Sequence, residues 1–145
     1  MGYGYGVWYK IESPKIYTLS GHVPHITIKC NMLYMDANKL CNELMCRGLT
    51  TQEFNIFTQA IDFNKMYDND ALSGWGYYVA MKPVHYLECE VYSEPYKGDF
   101  SYLPHITMEY NGTNKIDYRG KRSIKGSLVV ADMRNENPSN WIIYN

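Results

Sequence analysis

The sequence carries almost no net charge: fourteen basic residues stand against fifteen acidic ones, leaving −1 at neutral pH. Long DNA or RNA is held chiefly by clustered Lys and Arg, so a polyanion of that size is not the expected partner. A small ligand, or a local basic patch, fits better. Cysteine is sparse and unpatterned. Cys30, Cys41, Cys46 and Cys89 include no CxxC pair and match neither a disulfide framework nor a zinc ribbon. Reduced thiols in a cytoplasmic setting are therefore expected. Long apolar runs are missing too, so no segment has the length of a membrane span. The opening MGYGYGVWYK has no basic head followed by an apolar stretch and lacks the Ser or Thr of a myristoylation signal, so neither a leader nor a lipid anchor is expected from it. In that setting the sequon at Asn111 is incidental. No linker or low-complexity stretch divides the chain, which reads as one domain over 1–145.

What is abundant is aromatic surface. There are 15 tyrosines and 3 tryptophans against 4 phenylalanines. A tyrosine has a flat apolar face and a polar tip, which suits half-wet strands and also suits stacking on nucleobases. Hydrophobic residues make up 46% of the chain, enough for a substantial core. One basic run, KIDYRGKRSIK, gathers Lys115, Arg119, Lys121, Arg122 and Lys125 and reads either as a solvated face or as a local anion patch.

Periodicity predicts mostly strands. Residues 6–13 alternate, with Val7, Tyr9 and Ile11 on one face and Trp8, Lys10 and Glu12 on the other. A second strand is expected over 24–30. MDANKLCNELMCRGL then has a helical stripe of Ala37, Leu40, Cys41, Leu44 and Met45, with Asp36 or Asn38 as a starting cap and Gly48 as the stop. Further strands are expected in QEFNIFTQAIDFN, GWGYYVAMKPV, HYLECEVY, LPHITMEY, IKGSLVVADM and NWIIY, with a loop over 93–101. Seven or eight strands with one main helix make the fold class α+β.

Two of those strands carry the same phrase. Pro24-His25-Ile26-Thr27-Ile28 returns as Pro104-His105-Ile106-Thr107-Met108. On a strand, His25 and Thr27 share one face and Ile26 and Ile28 the other; the second copy divides in the same way. If the two strands are neighbours, two imidazoles and two hydroxyls meet in one cleft. That set is sufficient for cleaving a phosphodiester. One histidine takes a proton from the attacking oxygen, the other gives one to the leaving oxygen, and the threonines donate to the phosphate oxygens where charge accumulates. No metal or other cofactor is needed. A zinc site built on His22, His25 and Cys30 is the chemical rival, but its spacing fits no common pattern and leaves the threonines idle. His85 reads as an ordinary strand residue. For base stacking the candidates are Tyr9, beside the first motif with Trp8, and Trp75, between two glycines in SGWGYY; Trp141 reads as core.

Carrying HITI at 25–28 and HITM at 105–108, the chain resembles the two-histidine phosphoesterase superfamily, whose motif is His-x-[Ser/Thr]-apolar, used twice. The resemblance implies a bilobal, pseudo-symmetric fold with a central cleft, and metal-independent phosphodiester cleavage. His25 and His105 would be acid and base, in an order the sequence leaves open, and Thr27 and Thr107 would lie on the phosphate. Many members place a second helix ahead of the second motif; residues 84–102 show no helical stripe. The chain therefore looks closer to the compact viral branch, including the phage anti-CBASS nucleases that destroy cyclic nucleotide immune signals. The implied substrate is a small cyclic di- or oligonucleotide, in a host cell's cytosol. Two alternatives stay open: an enzyme for 2′-5′ oligoadenylate or RNA 2′,3′-cyclic ends, and a sponge that binds the signal without cutting it.

Overall fold

The computed structural model describes residues 2–80 and 104–144. The expected strand HYLECEVY, the loop over 93–101 and His85 lie outside the described residues. The remainder is α+β and mostly antiparallel sheet. In chain order the elements are β1 (Tyr5–Ser13), β2 (His25–Met32), α1 (Tyr34–Cys46), β3 (Thr51–Ile56), β4 (Ile61–Asp62), α2 (Phe63–Met66), β5 (Trp75–Ala80), β6 (His105–Glu109), β7 (Ser123–Asp132), a 3-10 turn at Pro138–Asn140, and β8 (Ile142–Tyr144). The long stretch expected as one strand from Gln52 to Asn64 breaks into β3, β4 and the start of α2.

All the pairings are antiparallel. They run β1–β2–β6–β5–β3–β7, and β7 pairs back to β1, so these strands form a closed circuit. Closure removes the exposed edges that an open sheet of this size would present. β4 and β8 are short additions to β5 and β7. One face of the circuit is the main core: Val7, Tyr9 and Ile11 of β1, Ile26 and Ile28 of β2, Ile106 and Met108 of β6, with Leu128 and Val130 of β7. Helix α1 closes this face with Ala37, Leu40, Cys41 and Leu44; Met45, expected in the stripe, stays at the surface. The opposite face carries a smaller cluster in which Trp8, Val129, Ala131 and Met133 pack against Cys30, Trp141 and Ile143.

The helix ends illustrate which local signals hold. Neither Asp36 nor Asn38 caps α1. The helix begins at Tyr34 after an extended Leu33 with no side-chain cap, and Asp36 lies in the first turn, where a negative charge meets the helix dipole. The C-terminus follows the glycine rule. Gly48 has φ +78°, its N–H donates to the Met45 carbonyl at 3.0 Å, and the Leu49 N–H donates to Leu44 at 3.0 Å. That pair of bonds is the Schellman closure, which requires the left-handed residue that glycine adopts without strain.

Ile26 and Ile106 face each other between β2 and β6, and both are fully buried. Truncating either should leave a cavity at the contact between the two motif strands. Ile106→Ala is expected to destabilise the protein by about 2–5 kcal/mol in urea unfolding. Lys121→Ala, at an exposed position, should stay within about 0.5 kcal/mol.

Candidate functional site

The Ile26–Ile106 pair sets the site. Antiparallel strands count in opposite directions, so one step either way puts His25 across from Thr107 and Thr27 across from His105. Because alternate residues share a face, all four polar side chains lie on the side away from the isoleucines. Direct partners across such a pair have Cβ atoms roughly 4.5–5.5 Å apart and diagonal ones roughly 7–8 Å. The two histidines are diagonal partners, a spacing that leaves room for a phosphate between them, and His105 is near enough to disfavour a positive charge on His25.

The two histidines are held in different ways. His25 is 3% exposed, and its ring lies flat on the indole of Trp8, with centroids 3.5 Å apart and planes 12° apart. Trp8 faces Thr27 across the β1–β2 ladder and so belongs to the site's face. The Nδ1 atom of His25 is 2.7 Å from the Val23 carbonyl. A carbonyl only accepts, so Nδ1 carries the proton and Nε2 presents a lone pair. Burial pushes the His25 imidazole down to about 3 from its ordinary 6.5. The stacked indole pulls the other way, because an aromatic face attracts a cation by ~0.5–2 kcal/mol, about one pKa unit. Burial therefore wins, and the ring stays neutral at pH 7.

His105 is half-buried. Its Nδ1 lies 3.3 Å from the hydroxyl of Tyr67, and the rings of Phe63 and Tyr67 meet it edge-on at 5.4 and 5.9 Å. The short helix α2 and the residue after it supply these two aromatics. A hydroxyl can donate or accept, so this contact permits either a neutral or a charged imidazole. Thr27 is half-buried and Thr107 buried. The Thr107 hydroxyl is hydrogen-bonded to the phenol of Tyr110, which desolvation holds well above its ordinary pKa and so keeps as a phenol. The ring of Trp141 borders the same face, 6.1 Å from His25, 5.8 Å from Trp8 and 5.7 Å from Tyr110, with Tyr3 edge-on at 6.1 Å.

Thus His25, Thr27, His105 and Thr107 are brought together, while Tyr9 and Trp75 are not. Tyr9 is 1% exposed: its ring meets Phe54 edge-on at 5.1 Å in the main core, and its hydroxyl donates to the Leu49 carbonyl at 2.8 Å. Trp75 is wholly buried and its indole N–H donates to Glu109 Oε1 at 2.9 Å. The glycines beside it do not expose it. They let β5 approach its neighbours: a Cβ at Gly74, with φ +107°, would stand 2.6 Å from the Glu109 carbonyl oxygen. The aromatics at the site are instead Trp8, Tyr67, Tyr110 and Trp141. The alternation of β1 already separates Trp8 from Tyr9; Tyr67, Tyr110 and Trp141 carry no local signal, since separate segments deliver them. Trp141, read as core, is half-buried at the rim of the site.

Other features stand apart from this face. The basic run is mostly exposed, with Lys115 paired to Asp62 at 2.7 Å. Among the described residues no group of three or more His, Cys, Asp or Glu side chains is arranged to hold a metal ion, and no helix is long and apolar enough to cross a membrane. No protein-family model matches the chain, and no curated protein matches it.

His25 and His22 are both held below their ordinary pKa by burial, so the folded protein refuses protons that the unfolded chain accepts near pH 6.5. Their contribution to stability is complete above that pH and is lost as pH falls below it, for His25 as far as about 3. His25 should remove about 1.4 kcal/mol per pH unit below the unfolded value, and His22 acts in the same direction. Urea unfolding between pH 7.5 and 4.5 should show this decline, and it should be shallower in His25→Phe, which keeps a ring on Trp8. Equal slopes for the two proteins would contradict the neutral, buried assignment.

Proposed function

We propose that the protein is a phosphodiesterase of the two-histidine kind, acting on a small cyclic di- or oligonucleotide by general acid–base catalysis without a metal. The bilobal, pseudo-symmetric architecture of that superfamily belongs to the same proposal. The observation that carries it is the convergence of both His-x-Thr pairs on one face, through one register pair, with the Nδ1 of one histidine held by a backbone carbonyl. A strand surface built only for solubility has no use for an imidazole whose tautomer is fixed by a backbone carbonyl. A general base does: it must hold a free lone pair at neutral pH.

The different surroundings of the histidines support different roles for them. His25 is the base. Its Nε2 takes the proton from the attacking hydroxyl, which is a ribose 2′-OH of the substrate or water. His105 is the acid. It delivers the proton from Nε2 to the leaving oxygen, and while it is charged its Nδ1–H donates to Tyr67, the hydroxyl already beside it. Thr27 and Thr107 donate to the non-bridging phosphate oxygens, where charge grows in the transition state. The hydrogen bond between the Tyr110 phenol and the Thr107 hydroxyl helps to orient that hydroxyl. Trp141, half-buried beside His25, and Tyr3, exposed against Trp141, offer ring surface for a base. This aromatic rim and the near-neutral charge favour a short oligonucleotide over a long polyanion.

The test is a panel of cyclic dinucleotides, cyclic trinucleotides, 2′-5′ oligoadenylate and RNA 2′,3′-cyclic ends, incubated with protein and EDTA and resolved by chromatography. Cleavage of at least one is expected. Binding without any cleavage would make the protein a sponge and overturn the enzyme reading. His25→Ala and His105→Ala should each lower turnover by about 10²–10⁴-fold while substrate still binds; activity within tenfold of wild type in either variant would refute the pairing. Tyr67→Phe should lower kcat by about tenfold, since it removes one hydrogen bond to the charged form of the acid, and should leave KM nearly unchanged.

A further inference from the structure

The ladder between β2 and β6 is short, and the segment leading into β2 fills the space beside it. The Leu19 N–H donates to the Met108 carbonyl at 2.8 Å, and the Tyr110 N–H donates to Ser20 Oγ at 2.7 Å. This segment ends in His22. The residue is 4% exposed, and its Nε2 lies 2.8 Å from the Thr107 carbonyl. Since the carbonyl only accepts, Nε2 carries the proton and Nδ1 is a lone pair. That Nδ1 is buried and, among the described residues, has no hydrogen-bond partner. A buried acceptor left unpaired destabilises a fold, so the residue is a poor choice for filling space alone. The ring also stands edge-on to both motif neighbours, 4.8 Å from Tyr110 and 6.0 Å from His25.

We propose that His22 is a positioning residue for the second motif, its Nε2–H holding the Thr107 backbone at the point where the Thr107 hydroxyl meets a bound phosphate. The inference rests on the phosphodiester reading above and deepens it. Thr107 is then gripped twice from outside the β-ladder, by His22 at its carbonyl and by Tyr110 at its hydroxyl. The first grip comes from the segment that immediately precedes His25. One imidazole thereby ties the lead-in of the first motif to the second motif, and small shifts of either strand are resisted where the phosphate oxygens would sit. The orphaned Nδ1 follows from this arrangement: a neutral imidazole that donates at Nε2 must leave a lone pair at Nδ1.

The first measurement is the ¹⁵N imidazole spectrum of the intact protein at pH 7. His22 should appear as the neutral Nε2–H tautomer and His25 as the neutral Nδ1–H tautomer. A charged His22, or one protonated at Nδ1, would overturn the proposal. The second is a titration with inorganic phosphate, followed at the Thr107 amide. His22→Phe should weaken phosphate binding by about tenfold. His22→Gln, whose amide N–H reaches about as far as Nε2, should stay within about threefold of wild type. Unchanged binding in His22→Phe would overturn the role, and so would an equal loss in a folded His22→Gln; the glutamine variant and the tautomers decide the matter even where the phenylalanine variant fails to fold. A wild type that binds no phosphate removes the phosphodiester reading and the role built on it, while the tautomers still report whether the His22–Thr107 bond exists.

Discussion

The contact between Ile26 and Ile106 holds this arrangement together. Two apolar side chains meet in the core, and by meeting they decide what lies on the other side of the sheet. A strand shifted by one residue would turn Ile26 outward and His25 inward, and would set a buried imidazole against hydrocarbon on the core face. The penalty for that is large on both counts, so the hydrophobic face enforces the register and the register composes the polar face. The position of the four polar motif side chains is thus set by the packing of the apolar residues on the opposite face.

The two motifs are alike in sequence and unlike in surroundings. His25 is dry, stacked on Trp8 and committed to one tautomer by a backbone carbonyl. His105 is half-exposed and rests against a hydroxyl that tolerates either protonation state. A symmetric pair of histidines would titrate together and would have no preferred direction for moving a proton. Here the difference is imposed from outside the motifs: β1 and the segment ending at Val23 enclose one ring, and α2 and Tyr67 support the other. The proposed division of labour between acid and base requires such a difference.

Much of this was legible in the chain. The repeated Pro-His-Ile-Thr frame, the alternation of β1, the stripe of α1 and the glycine that ends it are local patterns, and each follows from the periodicity of the element that carries it. The failures have a common form. Nearness to a motif and flanking glycines point to Tyr9 and Trp75 as stacking groups, yet Tyr9 belongs to the core side of its strand, and the glycines around Trp75 serve close backbone approach. The span from Gln52 to Asn64 reads as a strand from the alternation of Phe54, Ile56 and Thr58 against Asn55, Phe57 and Gln59, but the chain turns after Ile56 and helix α2 begins at Phe63, which places Phe63 and Tyr67 against His105.

By itself the sequence determined which residues share a face: His25 with Thr27, His105 with Thr107, and the isoleucines behind them, because a strand repeats every two residues whatever surrounds it. Only the tertiary structure decided which of those faces is covered and by what. Whether an imidazole is dry or wet, which of its nitrogens is bound, and which tyrosine, tryptophan or third histidine stands beside it depend on segments distant in the chain, and no local period encodes where those segments meet.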